Sequence, residues 1–230
     1  MARNGKSSRP TGRRATVRVK TARGRTVSSQ RWLQRQLNDP YVAEAKKRGY
    51  RSRAAFKLLQ LDDQFRFLKP GFRVVDLGAA PGGWTQVAVE RVRPGRGTGI
   101  VIGIDTTPVE PIAGATVLAK DFYDEDAPQV LTEALAGQAD VVLSDMAAAA
   151  TGDPQIDHLR IMALAEAAHD FARQVLRPGG TFVAKVLRGG TERGLLEQLK
   201  RDFAKVRHVK PAASRADSAE MYVVATGFRG

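Results

Sequence analysis

Apolar residues downstream of residue 70 occur in short runs, and amphipathic stretches separate them. The runs are rich in Val, Ile and Leu and have the length of strands. They cover 73–77, 99–104, 116–119, 140–144, 181–186, 206–210 and 221–226. Helical spacing dominates between them, at 83–92, 125–136, 155–176 and 191–203. This alternation predicts an α/β fold with a mostly parallel seven-stranded sheet and helices on both faces.

Two regions depart from this alternation. The last two runs are joined by a loop, 211–219, without a helical pattern, so they could form an antiparallel pair at the sheet edge. Before the first strand, residues 38–40 (Asn-Asp-Pro) are typical of a helix start and Gly49 of its end. A second helix is predicted with Ser52 as its cap, and it includes Lys57 and an apolar stripe of Leu58, Leu61 and Phe65.

Charge divides the chain into an arm and a domain. Residues 1–57 carry 17 Lys and Arg against two acids, whereas the rest carries 20 bases and 22 acids. Residues 1–28 also have little to bury, so we predict a disordered basic arm there and one folded domain at 29–230. A basic arm on a near-neutral domain favours a polyanion such as nucleic acid, although a solvated tail without a partner is the alternative.

Composition excludes several other classes of protein. Cysteine is absent and the three histidines are scattered, so we expect neither disulfides nor a metal site. No apolar run reaches transmembrane length and no secretory signal is visible, which predicts a protein of the cytoplasm without a membrane partner. One domain of this size is expected to be a monomer.

The first strand leads into a glycine-rich turn at the position where open parallel sheets bind ligands. The run is Val74-Val-Asp-Leu-Gly-Ala-Ala-Pro-Gly-Gly-Trp84. It is not the dinucleotide fingerprint, because Ala80 stands where a glycine is needed, and no phosphate-loop lysine follows. Asp105 ends the next strand, where an acid typically binds ribose hydroxyls, and Asp121 follows the third strand. The set predicts a nucleoside ligand without a pyrophosphate, for which S-adenosylmethionine is the obvious candidate.

Four charged residues stand at the ends of separate elements. Lys185 lies in an apolar strand, where an unpaired charge is costly to bury. Asp145 closes one apolar run and Glu220 opens another, and Lys57 lies in the predicted early helix. They are either unrelated surface charges or the parts of one site.

Several motifs, in order over residues 29–228, resemble those of the FtsJ/RrmJ family of RNA 2′-O-methyltransferases. Besides the glycine loop they are Arg31-Trp-Leu33, Ser52-Arg-Ala-Ala-Phe-Lys57-Leu, Ser144-Asp-Met-Ala147, Phe182-Val-Ala-Lys185-Val and Ser214-Arg215…Glu220-Met-Tyr222-Val-Val-Ala-Thr-Gly227. The resemblance implies a Rossmann-like methyltransferase domain at 29–230 that uses S-adenosylmethionine. It also implies a uridine ribose 2′-hydroxyl in 23S rRNA of the large ribosomal subunit as the substrate.

The same resemblance assigns roles to individual residues. It implies a catalytic tetrad of Lys57, Asp145, Lys185 and Glu220. It implies cofactor contacts from Gly82, Trp84, Asp105, Asp121 and Asp145. The chain departs from the family pattern after Ala147, where residues 148–150 are alanines instead of beginning with Pro-Asn. A polar contact from that loop is therefore not expected.

We expect Lys185 to assist the reacting hydroxyl, as a general base if neutral or as a stabilising cation if charged. Asp145 and Glu220 are expected to orient Lys185, and Lys57 to position the hydroxyl or a neighbouring phosphate. Tyr222 shares a strand face with Glu220 and is either a substrate contact or a core aromatic. The alternatives in function are a 2′-O-methyltransferase of tRNA or of a messenger cap, and a ribosome-assembly factor that binds RNA without catalysis.

Overall fold

The structure is a computed structural model that describes residues 24, 26–93, 99–188 and 193–230. The disordered arm that we predicted lies largely outside these residues. The strands are β1 Arg73–Leu77, β2 Ile100–Asp105, β3 Thr116–Ala119, β4 Ala139–Ser144, β5 Leu176–Leu187, β6 Phe203–Val209 and β7 Glu220–Phe228. The helices are α1 Val27–Asn38, α2 Pro40–Arg48, α3 Ala55–Phe65, α4 Gly83–Val92, α5 Ala127–Leu135, α6 Pro154–Val175 and α7 Arg193–Asp202.

The described strands form one seven-stranded sheet in the order β3-β2-β1-β4-β5-β7-β6. The pairs among β1 to β5 are parallel, while β7 runs antiparallel to both β5 and β6. The predicted fold class and the antiparallel edge pair are therefore confirmed. Because β7 inserts between β5 and β6, the last strand of the chain brings its first residues beside the end of β5.

Helices cover both faces of the sheet, and each face has its own core. Side chains of α5, α6 and α7 pack on one face, which we call the α6 face. Side chains of α2, α3 and α4 pack on the other, which we call the α3 face. Strand β7 shows the alternation, since Val223 faces the α6 side and Tyr222 and Val224 face the α3 side. No helix of the described residues is long and apolar enough to cross a membrane.

Three local features differ from the prediction. A helix, α1, begins at Val27, inside the segment that we predicted to be disordered. Ser52 does not cap α3, because the cap position is Ala54 and the buried Ser52 hydroxyl has no hydrogen-bond partner among the described residues. Strand β5 begins at Leu176 rather than 181, because Leu176 already pairs with Ala139 before the register shifts. Residues 178–180, Pro-Gly-Gly, are typical of a turn, so the sequence predicted the strand to begin only after them.

Candidate active site

The sheet brings one end of β4, β5 and β7 to a common edge. Asp145 follows β4 directly, and its backbone N–H donates to the Leu77 carbonyl at 3.1 Å. On the antiparallel pair, Lys185 lies opposite Tyr222 and Leu187 lies opposite Glu220. The first turn of α3, which packs over this part of the sheet, adds Lys57. The four predicted catalytic residues are therefore brought together from four separate elements.

Among the acids that the structure describes, Lys185 is bonded only to Asp145. Its Nζ donates to the Asp145 backbone carbonyl at 2.7 Å and to Asp145 Oδ1 at 3.1 Å. The Lys185 side chain is 9% exposed and that of Asp145 is 16% exposed. This pairing supplies the partner that a lysine in an apolar strand requires.

Glu220 is bonded to Lys57 rather than to Lys185. The Lys57 Nζ to Glu220 Oε2 distance is 2.8 Å, and Ser214 Oγ donates to Glu220 Oε1 at 2.8 Å. Our expectation that Glu220 orients Lys185 is therefore corrected. Glu220 lies two residues beyond the Lys185–Tyr222 pair along the strands, so its carboxylate meets α3 instead.

Tyr222 joins the two ion pairs into one network. Its hydroxyl donates to Asp145 Oδ1 at 2.7 Å and accepts from Lys57 Nζ at 3.1 Å. The residue is fully buried, and its ring packs against Trp84 with a centroid distance of 5.5 Å. Tyr222 is thus a core aromatic whose hydroxyl reaches the charged residues, which combines the two roles that the sequence left open for it.

The network shifts the pKa values of Asp145 and Tyr222. Burial alone raises the pKa of Asp145, but the charges of Lys185 and Lys57 and the hydrogen bonds from Tyr222 and Lys185 outweigh it, so the net pKa lies below 3.8. Burial raises the pKa of Tyr222 well above 10, and the carboxylates of Asp145 and Glu220 raise it further. Tyr222 is therefore a neutral donor between a carboxylate and an ammonium group.

The glycine loop after β1 lies beside this network. Gly78 has φ +79°, and a Cβ there would lie 2.8 Å from the Met146 Cα. Asp76 is fully buried below the loop, where Thr85 Oγ1 donates to its Oδ2 at 2.7 Å and Oδ1 has no hydrogen-bond partner among the described residues. Burial raises the pKa of Asp76 to about 7, with Asp145 and Asp105 contributing in the same direction. The loop thus passes close to the backbone of Met146, and an unpaired carboxyl oxygen is buried beneath it.

A cleft of about 360 Å³ opens on the outer side of this loop. Asp105 and Asp121, two of the predicted cofactor residues, line it. Asp105 accepts from the Ala80 N–H at 2.9 Å and the Thr107 N–H at 2.8 Å, which fixes the carboxylate at the end of β2. The other lining residues are mostly apolar and include Gly78, Ile104, Phe122, Met146 and Leu164.

Gly82 and Trp84, which were also predicted to bind the cofactor, do not line this cleft. Both are buried, and Trp84 Nε1 donates to the Ala54 carbonyl at 2.9 Å. A Cβ on Gly82 would lie 2.7 Å from Ile112 Cδ1 and 3.2 Å from the Arg51 side chain. In this structure Gly82 and Trp84 are packed inside the protein next to the loop and not at the cleft. Their role in binding the cofactor stays a prediction.

Sequence reasoning missed the wall of the cleft that α6 supplies. Arg160, Ala163 and Leu164 line it, and so do Ala147 and Ala148 from the loop where the chain departs from the family pattern. These residues form no motif that would predict a binding site. They line the cleft only because α6 packs on the sheet. The alanine loop presents methyl groups to the cleft.

The residues of the loop and cleft fit S-adenosylmethionine. A volume of about 360 Å³ lies within the range of small-ligand sites. Carboxylates at the ends of β2 and after β3 suit ribose hydroxyls and a base edge, and the apolar walls suit an adenine ring. The unpaired Oδ1 of buried Asp76 suits a cationic group close to the glycine loop. The described residues hold no group of three or more potential metal ligands.

A second cleft, of about 380 Å³, reaches the charge network from the α3 side. It is rich in cations, and its lining is Arg35, Arg53, Lys57, Arg215, Asp217, Ser218 and Glu220. Arg53 is held by Asp39 at 3.0 Å and by the Ala213 carbonyl, so its guanidinium is fixed in place. Lys57 and Glu220 are shared between this cleft and the network, which makes the network accessible from the basic side.

The sheet is mostly parallel with an antiparallel β7, and a nucleoside cleft at the glycine loop lies beside a charge network. Together these features define a Rossmann-like methyltransferase. The model of the FtsJ-like methyltransferase family matches residues 50–228. The chain therefore belongs to the FtsJ-like methyltransferase family. It is a methyltransferase, and its methyl donor is S-adenosylmethionine.

Similar proteins agree with this assignment. A protein of Xanthobacter autotrophicus named ribosomal RNA large subunit methyltransferase E is 63% identical over 96% of this chain and 87% of its own length. A protein of the same name from Paramagnetospirillum magneticum is 63% identical over 100% of this chain and 99% of its own length. The crystal structure of a ribosomal RNA methyltransferase from Plasmodium falciparum is 31% identical, covers 79% of this chain and all of its own, and has a TM-score of 0.70.

Proposed function

We propose that this enzyme transfers a methyl group to the ribose 2′-hydroxyl of a uridine in 23S rRNA of the large ribosomal subunit. The name shared by relatives that are 63% identical over nearly the whole chain supports the substrate. The single structural observation that carries the reaction type is the pairing of Lys185 with Asp145 beside the glycine loop. A 2′-hydroxyl is a weak nucleophile, and this lysine is placed to assist it.

Lys185 acts on the hydroxyl in this proposal, either by accepting its proton or by stabilising the negative charge that develops on oxygen. Bound S-adenosylmethionine supplies a methyl group that its positively charged sulfur has already activated. Lys185 Nζ is held in place by the two hydrogen bonds that it donates to Asp145, one to Oδ1 and one to the backbone carbonyl. Holding both groups at fixed positions contributes through alignment as well as through charge.

Lys57 positions the target ribose from the other side of the network. Glu220 holds its Nζ at 2.8 Å and Tyr222 holds it at 3.1 Å, so the ammonium is directed to the opening of the basic cleft. The phosphates of a bound RNA are matched by the cations Arg35, Arg53 and Arg215 along that cleft. The network thus separates two tasks, hydroxyl activation at Lys185 and ribose placement at Lys57.

The basic arm at residues 1–28 is proposed to add non-specific affinity for RNA. The boundary between the arm and the domain, the monomeric state and the cytoplasmic location stay predictions. Size-exclusion chromatography with light scattering tests the oligomeric state directly.

The proposal is tested by mapping 2′-O-methyl groups in large-subunit RNA from cells with and without this protein. The expected result is one uridine that loses its methyl group when the protein is absent and regains it when purified protein and S-adenosylmethionine are added. Isolated large subunits, protein-free 23S rRNA and bulk tRNA are compared as substrates. Methylation of tRNA alone would replace the proposed substrate, and RNA binding without methyl transfer would indicate an assembly factor.

A further inference from the structure

Strand β6 forms one open edge of the sheet and is strongly basic. It reads Phe-Ala-Lys-Val-Arg-His-Val, it contains no acid, and it is followed by Lys210. Lys205 and Arg207 are exposed. Within the described ranges neither of these two side chains takes part in an ion pair, and Arg207 donates only to the neighbouring Val206 carbonyl, at 3.3 Å. The proposed chemistry does not use this strand.

The register of β6 against β7 fixes which way these cations point. Lys205 lies opposite Thr226, Arg207 opposite Val224 and Val209 opposite Tyr222. Directly opposed residues share a face of the sheet, and Val224 and Tyr222 belong to the core of the α3 face. Lys205 and Arg207 therefore lie on the same face as Lys57 and the basic cleft.

The two cations of β6 lie at regularly increasing distances from the charge network. With about 3.4 Å per residue, Arg207 lies about 7 Å and Lys205 about 14 Å along the strand from the Val209–Tyr222 pair. The two cations are about 7 Å apart, which is comparable to the separation of successive phosphates in single-stranded nucleic acid. The line of charge begins beside the residues that hold the target ribose in the proposed function.

The opposite face of the sheet has a different charge. Helices α5, α6 and α7, which pack on it, carry six acids and five bases and are close to neutral, whereas β6 carries only cations. Lys210, next to β6, is bonded to the carbonyls of Ala216 and Ser218, so it secures the loop that leads to Glu220. The two exposed cations of β6 itself, Lys205 and Arg207, thus lie on the face that carries the active site, whereas the exposed Lys200 and Arg201 of α7 lie on the other face.

We infer that Lys205 and Arg207 form a second docking track for the RNA backbone, which holds the phosphates of the strand that leaves the active site. The inference rests on the proposed function, because it takes RNA as the substrate. The contacts are to phosphates, so they set the position and affinity of the RNA and carry no sequence preference. A lysine on an edge strand also protects against edge-to-edge association, and that role alone predicts no effect on RNA.

The test compares two charge-matched double variants of the full-length enzyme. Lys205→Gln with Arg207→Gln removes the track and keeps the edge polar. Lys200→Gln with Arg201→Gln removes two exposed cations at the end of α7, on the α6 face, and is the control. Both are measured with large-subunit RNA for kcat, KM and the dependence of binding on salt, together with the Kd for S-adenosylmethionine.

The expected result for the track variant is a KM for RNA that rises about 3- to 30-fold, while kcat and the Kd for S-adenosylmethionine stay unchanged. The slope of log K against log salt becomes shallower by about 1.4 to 1.8, the value for two lost phosphate contacts. An unchanged KM and slope, or an equal effect in the control, overturns the inference. A wild-type enzyme that does not methylate RNA overturns the proposed function instead, and the wild-type reaction shows that separately.

Discussion

Replacing Tyr222 with phenylalanine removes one hydroxyl group that joins the two ion pairs of the site. The hydroxyl donates to Asp145 Oδ1 at 2.7 Å and accepts from Lys57 Nζ at 3.1 Å, and nothing else of the ring changes. The ring is fully buried against Trp84, so phenylalanine fills the same space and the fold is retained. The substitution therefore tests the coupling between Lys57 and Lys185 without disturbing either residue directly.

The magnitude follows from the partners of the hydroxyl. Hydrogen bonds to charged groups contribute about 1.5–3 kcal/mol, which corresponds to a factor of about 10 to 150. If the bridge aligns Asp145 and Lys57 for the reaction, kcat falls by about that factor. Stability falls as well, because the Asp145 carboxylate loses one donor, and a lower denaturant midpoint with an unchanged m-value is expected.

The assay is single-turnover methyl transfer to undermethylated large subunits at saturating S-adenosylmethionine. Tyr50→Phe is the matched control, since it removes a hydroxyl that donates to Glu90 at 2.5 Å, away from the site. The control is expected to keep wild-type kcat. A Tyr222→Phe enzyme whose kcat stays within about twofold of wild type would refute the idea that the network works as a unit.

Three further predictions concern the loop, the buried acid and the end of the network. Gly78→Ala is expected to cost more stability and cofactor affinity than Gly71→Ala, measured by urea unfolding and calorimetry. Both positions have a positive φ, which costs about 1–2 kcal/mol for alanine, but only at Gly78 does the new Cβ meet the backbone after β4. Because the pKa of Asp76 is raised to about 7 from 3.8, the native state binds more protons between about pH 4 and 7, and stability falls as pH rises through that window. Asp76→Asn removes this loss, so the cofactor-free variant gains about 2–3 kcal/mol relative to wild type at pH 8 compared with pH 5, and equal urea midpoints at both pH values contradict the assignment. Ser214→Ala releases one oxygen of Glu220 and is expected to lower kcat about 3- to 10-fold while Ser214→Thr restores it, whereas an unchanged kcat in Ser214→Ala would show that the contact does not orient the carboxylate.

The sheet was predictable because its central strands are continuous apolar runs between clear turn signals. Strand β1 and the glycine loop coincide with the predicted bounds. Helix α1 was missed because its sequence, VSSQRWLQRQLN, has few apolar residues and its neighbours upstream are basic. Its start depends on the Thr26 side chain, which accepts from the Ser29 N–H, and this is a weak signal in a polar segment.

The members of the candidate site could be predicted from the motifs, but their pairing could not. Lys57 and Glu220 are 163 positions apart, and which lysine Glu220 meets depends on the register of β5 against β7. The same register places Tyr222 opposite Lys185 and sends its hydroxyl between the two ion pairs. Local sequence patterns carry no information on such a register between distant strands.

The residues of the cofactor cleft were also predictable only in part. Asp105 and Asp121 were predictable because each follows a strand at the ligand edge of the sheet. The wall from α6 was not, since a helix with apolar residues at regular spacing does not reveal which of them border a cavity. Trp84 was assigned to the cofactor by resemblance, and in the structure its indole N–H is bonded to the Ala54 carbonyl.

Lys185 is proposed to assist the 2′-hydroxyl of a large-subunit uridine. The most direct measurement is single-turnover methylation of undermethylated large subunits by Lys185→Met, with the modified nucleotide mapped and S-adenosylmethionine binding measured in parallel. We expect a methyl-transfer rate that is lower by about 10²- to 10⁴-fold with unchanged cofactor binding. Methylation of the same uridine by the variant at the wild-type rate would contradict it.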